Sequence, residues 1–144
     1  MTTLRAVAAV TCFISSGAFA GEPDVSGLYA IDTAGTTATV KAGASGTLAI
    51  EVKAKGDAHI SDEAPLKLDV TSASLTFAKS KLTRADSTTQ PTASVKYPNP
   101  KFAVAFTANT AGAATAEADL TFFVCTENLC ARQKKKIVVP ITVQ

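Results

Sequence analysis

Tryptophan is absent from this sequence, and aromatic residues make up only 6% of its 144 residues. Proteins that bind single-stranded nucleic acid use aromatic side chains as surfaces on which the bases stack. Two tyrosines are too few to form such a surface. The formal net charge, +2, is also small. We therefore expect neither a nucleic-acid partner nor attraction to a charged membrane surface.

The residue patterns of common catalytic sites are missing as well. There is no serine–histidine–aspartate arrangement, no glycine-rich phosphate loop and no metal-binding carboxylate motif. The single histidine, His59, and the cysteines Cys125 and Cys130 are three possible ligands for a soft metal, but no second histidine or internal methionine adds to them. We predict no metal site and no cofactor.

No apolar run in the sequence is long enough to cross a bilayer. The first twenty residues instead have the features of a secretory signal peptide, namely Arg5, a short apolar run, and Ala18-Phe19-Ala20 before Gly21. We predict that residues 1–20 are a signal peptide and residues 21–144 one domain. The mature chain is then periplasmic or secreted and does not insert into a membrane.

Three cysteines are present, and cleavage of the predicted signal peptide would remove one of them. Cys12 lies inside the apolar run of the leader, so Cys125 and Cys130 are the pair that remains in the mature chain. An even number of cysteines in an exported protein fits one disulfide.

A sustained helical repeat of apolar residues is also missing. Apolar and polar residues alternate instead, most clearly between Thr47 and Lys55, and turn-forming residues recur at short intervals. The pattern predicts an all-β, immunoglobulin-like antiparallel β-sandwich. We expect Lys79–Thr92 to be a long polar loop. The predicted strands are one near Tyr29, and then Thr36–Lys41, Thr47–Lys55, Leu66–Val70, Leu75–Phe77, Val95–Tyr97, Phe102–Thr107 and a hairpin at the carboxyl end.

The predicted carboxyl-terminal hairpin contains both remaining cysteines. Its first arm is apolar at even positions and its second arm at odd positions. A four-residue loop at 126–129 places Cys125 opposite Cys130, close to the separation that a disulfide requires. By the same register, Phe123 lies opposite Arg132, and all four side chains point away from the core. We therefore expect the cysteine pair to be accessible. Pro140 in the second arm predicts an edge strand or a bulge.

Two interpretations of the cysteine pair are open. Arg132 beside it would favour a reactive thiolate, whereas a bridge that only joins the two arms of a short hairpin is a common structural feature of exported domains. Phe123 either shields the disulfide or packs beneath the Lys79–Thr92 loop. His59 either tunes a thiol or hydrogen-bonds to loop backbone. The basic run from Arg132 to Lys136 is typical of an exposed edge strand.

Two stretches, Gly56–Leu68 (GDAHISDEAPLKL) and Thr121–Val143, resemble the amino-terminal periplasmic domain of the thiol:disulfide interchange reductase DsbD. That domain has a glycine-led turn near its active site and a cysteine pair on a hairpin that is followed by charged residues and Val-Pro. The resemblance implies an immunoglobulin-like fold in which Cys125 and Cys130 carry electrons. Its implied partners are periplasmic thioredoxin-like or disulfide isomerase-type proteins and a membrane reductase. The alternative function is a non-catalytic immunoglobulin-like interaction module with a structural disulfide.

Overall fold

Alternating apolar residues build two β-sheets that face each other across one core. The computed structural model describes residues 23–144, so the predicted signal peptide, residues 1–20, lies outside the described residues. Two short 3-10 helices, Ser26–Leu28 and Arg84–Asp86, accompany the strands. The strands are β1 (Tyr29–Asp32), β2 (Thr39–Val40), β3 (Ser45–Ala54), β4 (His59–Ile60), β5 (Lys67–Thr71), β6 (Leu75–Phe77), β7 (Lys81–Thr83), β8 (Lys101–Ala108), β9 (Gly112–Cys125) and β10 (Cys130–Val143).

The strands form a four-stranded sheet and a six-stranded sheet. The order in the first sheet is β1-β3-β8-β6. In the second sheet it is β2-β10-β9-β5-β7, and β4 pairs with β9 beside β5. All of these pairs are antiparallel except the two-residue contact of β2 with β10, which is parallel. The predicted all-β sandwich is confirmed.

One hydrophobic cluster lies between the sheets. In β8, Phe102, Val104 and Phe106 alternate with exposed residues and are at most 3% exposed. The even apolar positions of β9 and the odd apolar positions of β10 point into the same cluster from the second sheet. Because burying one such side chain stabilises the fold by about 1.5–3 kcal/mol, this period-two pattern is what drives the two sheets together.

Gly46 in β3 shows how closely the core is packed. A Cβ atom at this position would lie 2.5 Å from the ring of Phe106, which pairs with Gly46 across the two strands. Phe106 is only 2% exposed, so its ring belongs to the core beneath Gly46. The absence of a side chain at Gly46 therefore allows β8 to place an aromatic ring at the centre of the sandwich.

Three local predictions are corrected by the structure. No strand forms at 95–97, where the chain is irregular. The predicted loop Lys79–Thr92 contains β7 and the second 3-10 helix, because Leu82 is buried and β7 pairs with β5. The predicted strand Thr36–Lys41 is reduced to β2, which joins β10 in the other sheet and does not pair with β3.

Pro140 lies in an unbroken strand and causes no bulge. The register of β9 with β10 is constant from Cys130 to Val143, and β2 adjoins the other side of β10 only at Thr142 and Val143. The edge-strand prediction for Pro140 is therefore confirmed, since this residue lies where β10 has one neighbour among the described strands.

Candidate functional site

The two cysteines lie at the closed end of the β9–β10 hairpin and are joined by a disulfide. Cys125 pairs with Cys130 in register, and their Cα atoms are 4.1 Å apart. The N–H of Thr126 donates to the carbonyl of Leu129 over 2.7 Å and closes the four-residue loop. These pairs confirm the predicted register. A slip of one residue along the hairpin would have exchanged the core face for the outer face.

The two cysteines differ in exposure, although they are direct partners. Cys125 is 4% exposed, whereas Cys130 belongs to the exposed residues. Sequence reasoning expected an accessible pair, and this expectation is wrong for Cys125. The physical reason is position in the sheet, since β9 has a neighbouring strand on each side at Cys125 and β10 has only β9 at Cys130.

The strand that covers the far side of Cys125 is β4, and it brings His59 to the site. His59 pairs with Cys125, and Ile60 pairs with Val124. Since Ile60 is buried in the core, alternation places His59 on the outer face with the cysteines. The side chains of His59, Cys125 and Cys130 therefore form one row across three adjacent strands. Sequence reasoning placed His59 near the cysteines by resemblance alone.

The imidazole of His59 stacks on the ring of Tyr97. The two ring centroids are 4.1 Å apart and the planes differ by 20°. Within residues 23–144 no hydrogen bond involves the His59 side chain, so the alternative in which this histidine bonds to loop backbone is not what the structure shows. Tyr97 is the site residue that sequence reasoning missed, because the segment was taken for a strand. Its signal in the sequence was an aromatic residue directly before a Pro-Asn-Pro turn.

Three hydrogen bonds hold the segment directly after Tyr97. The residues that follow it are tied to β3, because the N–H of Ala54 donates to the side-chain carbonyl of Asn99 over 3.0 Å and the N–H of Val52 donates to the carbonyl of Pro100 over 3.0 Å. On the other side, a guanidinium nitrogen of Arg84 donates to the carbonyl of Pro98 over 2.9 Å. Residues 98–100, which follow the stacking ring, are therefore held both by β3 and by Arg84.

Arg84 occupies a partly desolvated position beneath this segment. Desolvation lowers the pKa of Arg84, and the nearby carboxylate of Asp62 opposes the change. Its Nε and Nη1 atoms are buried and have no hydrogen-bond partner within the part of the chain described. The arginine therefore anchors the Tyr97 segment through Nη2 alone.

Phe123 and Arg132 are opposite each other, as the register predicted. Phe123 is half-buried and does not belong to the hydrophobic cluster of the core, whereas Arg132 is exposed. The cation–π contacts found in residues 23–144 join Lys96 to Tyr97 and Lys135 to Tyr29, and none involves Arg132. Phe123 therefore lies on the same face of β9 as Cys125, without a stacked guanidinium.

No group of three or more histidine, cysteine, aspartate or glutamate side chains in residues 23–144 is arranged to hold a metal ion. None of the helices in that range has the length and apolar character needed to cross a membrane.

Comparison with known proteins does not assign the chain to a family. No family model matches, and no curated protein matches. Among solved structures, domains 4 and 5 of the S-layer protein SbsC align with 79% of this chain at 15% identity and a TM-score of 0.43, and the chain covers 50% of that structure. A conjugative transposon lipoprotein from Bacteroides eggerthii aligns with 76% of this chain and 96% of its own length, at 12% identity and a TM-score of 0.38. TM-scores this low carry no argument about function.

Proposed function

We propose that this protein is a periplasmic thiol–disulfide electron carrier whose redox centre is Cys125 and Cys130. The observation that carries the proposal is the unequal exposure of the two cysteines, with the buried one beside His59. A disulfide that exchanges with a partner needs one sulfur that can be attacked and one that can leave. The resemblance to the amino-terminal domain of DsbD supports the same function and a location outside the cytoplasm.

In the proposed reaction, the thiolate of a reduced partner dithiol attacks Sγ of Cys130, the exposed cysteine of the pair. A new S–S bond joins the partner to Cys130, the Cys125–Cys130 bond breaks, and Cys125 leaves with the electron pair as a thiolate. The second thiolate of the partner then attacks the sulfur of the partner's first cysteine in the mixed disulfide, and Cys130 leaves as a thiolate. Two electrons have passed to this protein, the partner has become a disulfide, and the two partner protons complete the Cys125 and Cys130 thiols.

His59 has a supporting role in this proposal. A protonated imidazole beside Cys125 would stabilise the thiolate that forms there, because a neighbouring cation favours the charged form of a thiol. Reversal of the same steps would pass the electrons to an oxidised thioredoxin-like or isomerase-type protein. A membrane reductase would supply the reduced dithiol.

Trapping of mixed disulfides tests the proposal and the roles of the two sulfurs. In Cys125→Ser, the exposed Cys130 has no internal partner, so it should capture a partner protein as a stable mixed disulfide in periplasmic extracts. Cys130→Ser, in which only the buried Cys125 remains, is the matched control and should capture little. Equal capture by both variants, or capture by neither, would contradict the carrier.

A non-catalytic interaction module with a structural disulfide is the second candidate. It is favoured by the position of the bridge, which joins two residues that already pair in register across one hairpin. The midpoint potential separates the two functions. A potential below about −300 mV is typical of a structural disulfide that resists reduction, and a higher value is expected for the carrier.

A further inference from the structure

The second edge of β10 is open over most of its length. All of β10 pairs with β9, but on its other side β2 covers only Thr142 and Val143. From Cys130 to Ile141, no other strand in residues 23–144 adjoins this edge. The other edge strands of the two sheets are much shorter, since β1 has four residues and β6 and β7 have three each. A long open edge is a template on which another strand can pair.

The hydrogen-bonding pattern shows which backbone groups face the open edge. The bond between Thr126 and Leu129 makes Cys125 and Cys130 a pair without mutual backbone bonds, so the even residues of β10 point their N–H and C=O groups away from β9. At the far end, Thr142 and Gln144 donate outward to β2 and its flank, which is the same alternation. Pro140 shares this parity, so its missing N–H removes no bond to β9. The residues that present both an outward N–H and an outward C=O before Pro140 are Cys130, Arg132, Lys134, Lys136 and Val138.

The side chains along this edge are mainly cationic. Arg132, Lys134 and Lys136 extend from the outer face, and Lys135 from the inner face. Glu117 pairs with Lys136 over 2.7 Å, whereas Arg132 and Lys134 form no ion pair with any described residue. The carbonyl of Arg132 accepts from the side chain of Gln133 over 2.8 Å, so this one outward carbonyl is already partly occupied.

We propose that this open edge, Cys130–Val138, is a docking site for an extended acidic segment of a partner protein, which adds to the sheet as a further strand. Backbone hydrogen bonds to the five outward residues would provide affinity, and carboxylates at alternate positions of the segment would pair with Arg132 and Lys134. The inference goes beyond the thiol–disulfide function and does not depend on it, because docking requires no change in the disulfide.

Charge selects the occupant. Lysines on an edge strand oppose pairing with a second copy of this chain, since two β10 strands side by side would bring the cations of one next to those of the other. The same lysines attract an acidic strand, so they exclude self-association and basic partners while they permit one class of partner. Cys130 lies at the start of the edge, so a docked segment runs beside this exposed cysteine.

Two synthetic peptides test the proposal on the oxidised protein. The probe is an eight-residue peptide of alternating threonine and glutamate, and its control has lysine in place of each glutamate. Binding is measured by fluorescence anisotropy, and amide hydrogen exchange is followed by NMR. We expect binding of the acidic peptide alone, and slower exchange at the amides of residues 132, 134, 136 and 138. The amides of residues 133, 135 and 137 already face β9 and should not change.

Variants distinguish strand pairing from a general attraction of charges. Arg132→Glu with Lys134→Glu should weaken binding at least about tenfold, which corresponds to about 1.4 kcal/mol. Lys67→Glu, on the same face but away from the edge, is the control and should bind as the wild type does. Lys134→Pro removes an outward N–H without breaking a bond to β9, as Pro140 does, and should abolish binding while the thermal midpoint is retained.

Several outcomes would overturn the proposal. Binding of both peptides, binding of neither, or equal slowing of odd and even amides would each exclude a specific acidic strand at this edge. Dimerisation of the free protein with protection of the same even amides would show that a second copy is the occupant. If Lys134→Pro fails to fold, the double glutamate variant and the exchange pattern still decide the matter.

Discussion

At the scale of single residues, two neighbouring phenylalanines show how alternation along a strand sends one side chain into the core and the next to the outer face. Phe122 is fully buried and meets Tyr29 edge to face at a centroid distance of 5.0 Å. Phe123 faces the other way, towards the disulfide side of the sheet, and is half-buried. The same side chain therefore packs the core at one position and is available to shield the cysteines at the next.

We predict that Phe123→Ala speeds reduction of the disulfide by glutathione and lowers the free energy of unfolding by only about 1 kcal/mol. The reason is that Phe123 lies outside the core cluster but on the cysteine face. The rate of disulfide reduction is measured by trapping the free thiols at successive times after glutathione is added. The free energy of unfolding is measured by denaturant titration.

Phe122→Ala is the matched control for this experiment. It should lower the free energy of unfolding by about 3–5 kcal/mol, as expected for a large cavity in a core. A loss of that size for Phe123→Ala, with an unchanged reduction rate, would show that Phe123 is a packing residue and not a shield.

At the scale of structural elements, the second 3-10 helix, Arg84–Asp86, orders the segment that carries Tyr97. The carboxylate of Asp86 caps its start, since it accepts from the N–H of Thr83 over 2.9 Å and from the Thr83 hydroxyl over 3.4 Å. Arg84 then reaches Pro98 next to Tyr97. The cap is therefore linked through one arginine to the ring that stacks on His59.

We predict that the contribution of Asp86 to stability is lost in acid. The ion pair with Lys79, followed by the bond from Thr83, holds the pKa of Asp86 below its ordinary value of 3.8. A carboxyl with a lowered pKa in the folded state stabilises fully above its unfolded pKa, and that stabilisation is lost as pH falls through the folded pKa. Hence Asp86→Asn should destabilise the protein at pH 7 and become equal to the wild type well below pH 3.8.

Unfolding free energies at pH 7 and in acid check this prediction. Glu127→Gln removes one carboxylate from the exposed hairpin loop, where it forms no ion pair with the described residues, and should have no effect at either pH. An equal deficit for Asp86→Asn at both pH values would mean that the charge of Asp86 does not contribute.

At the scale of the whole molecule, the disulfide adds little to a fold that other contacts already hold. Every residue of β10 pairs with β9, and both strands contribute to the single core cluster. The bridge closes a loop of only a few residues, so it removes little conformational freedom from the unfolded chain. A domain built in this way can keep its structure in both redox states, as a carrier must.

We predict that reduction of the disulfide lowers the free energy of unfolding by about 2 kcal/mol and leaves the sheets intact. Far-UV circular dichroism and thermal melts with and without dithiothreitol provide the test. The double variant Cys125→Ser, Cys130→Ser is the control and should not respond to the reductant. Loss of the β-sheet signal on reduction would identify the bridge as an essential structural link and would contradict the carrier.

The sequence by itself determined the sandwich, the register of the β9–β10 hairpin and the pairing of Cys125 with Cys130. These features follow from alternation with a period of two, which is a local property and is therefore visible in neighbouring residues. The same alternation correctly placed Phe123 opposite Arg132 and the apolar residues of β8 in the core. Pro140 indicated an edge for an equally local reason, its missing N–H.

Only the tertiary structure decided how the two sulfurs differ. The burial of Cys125 depends on β4, a two-residue strand too short to leave a periodic signal, and on contacts between segments far apart in the chain. The stack of His59 on Tyr97 joins two such segments, and Arg84 anchors it from a third. The open edge of β10 likewise exists because β2 meets that strand at only two residues. Pairings of this kind depend on the free energy of the whole sandwich, so they cannot be predicted from the pattern of any short stretch of sequence.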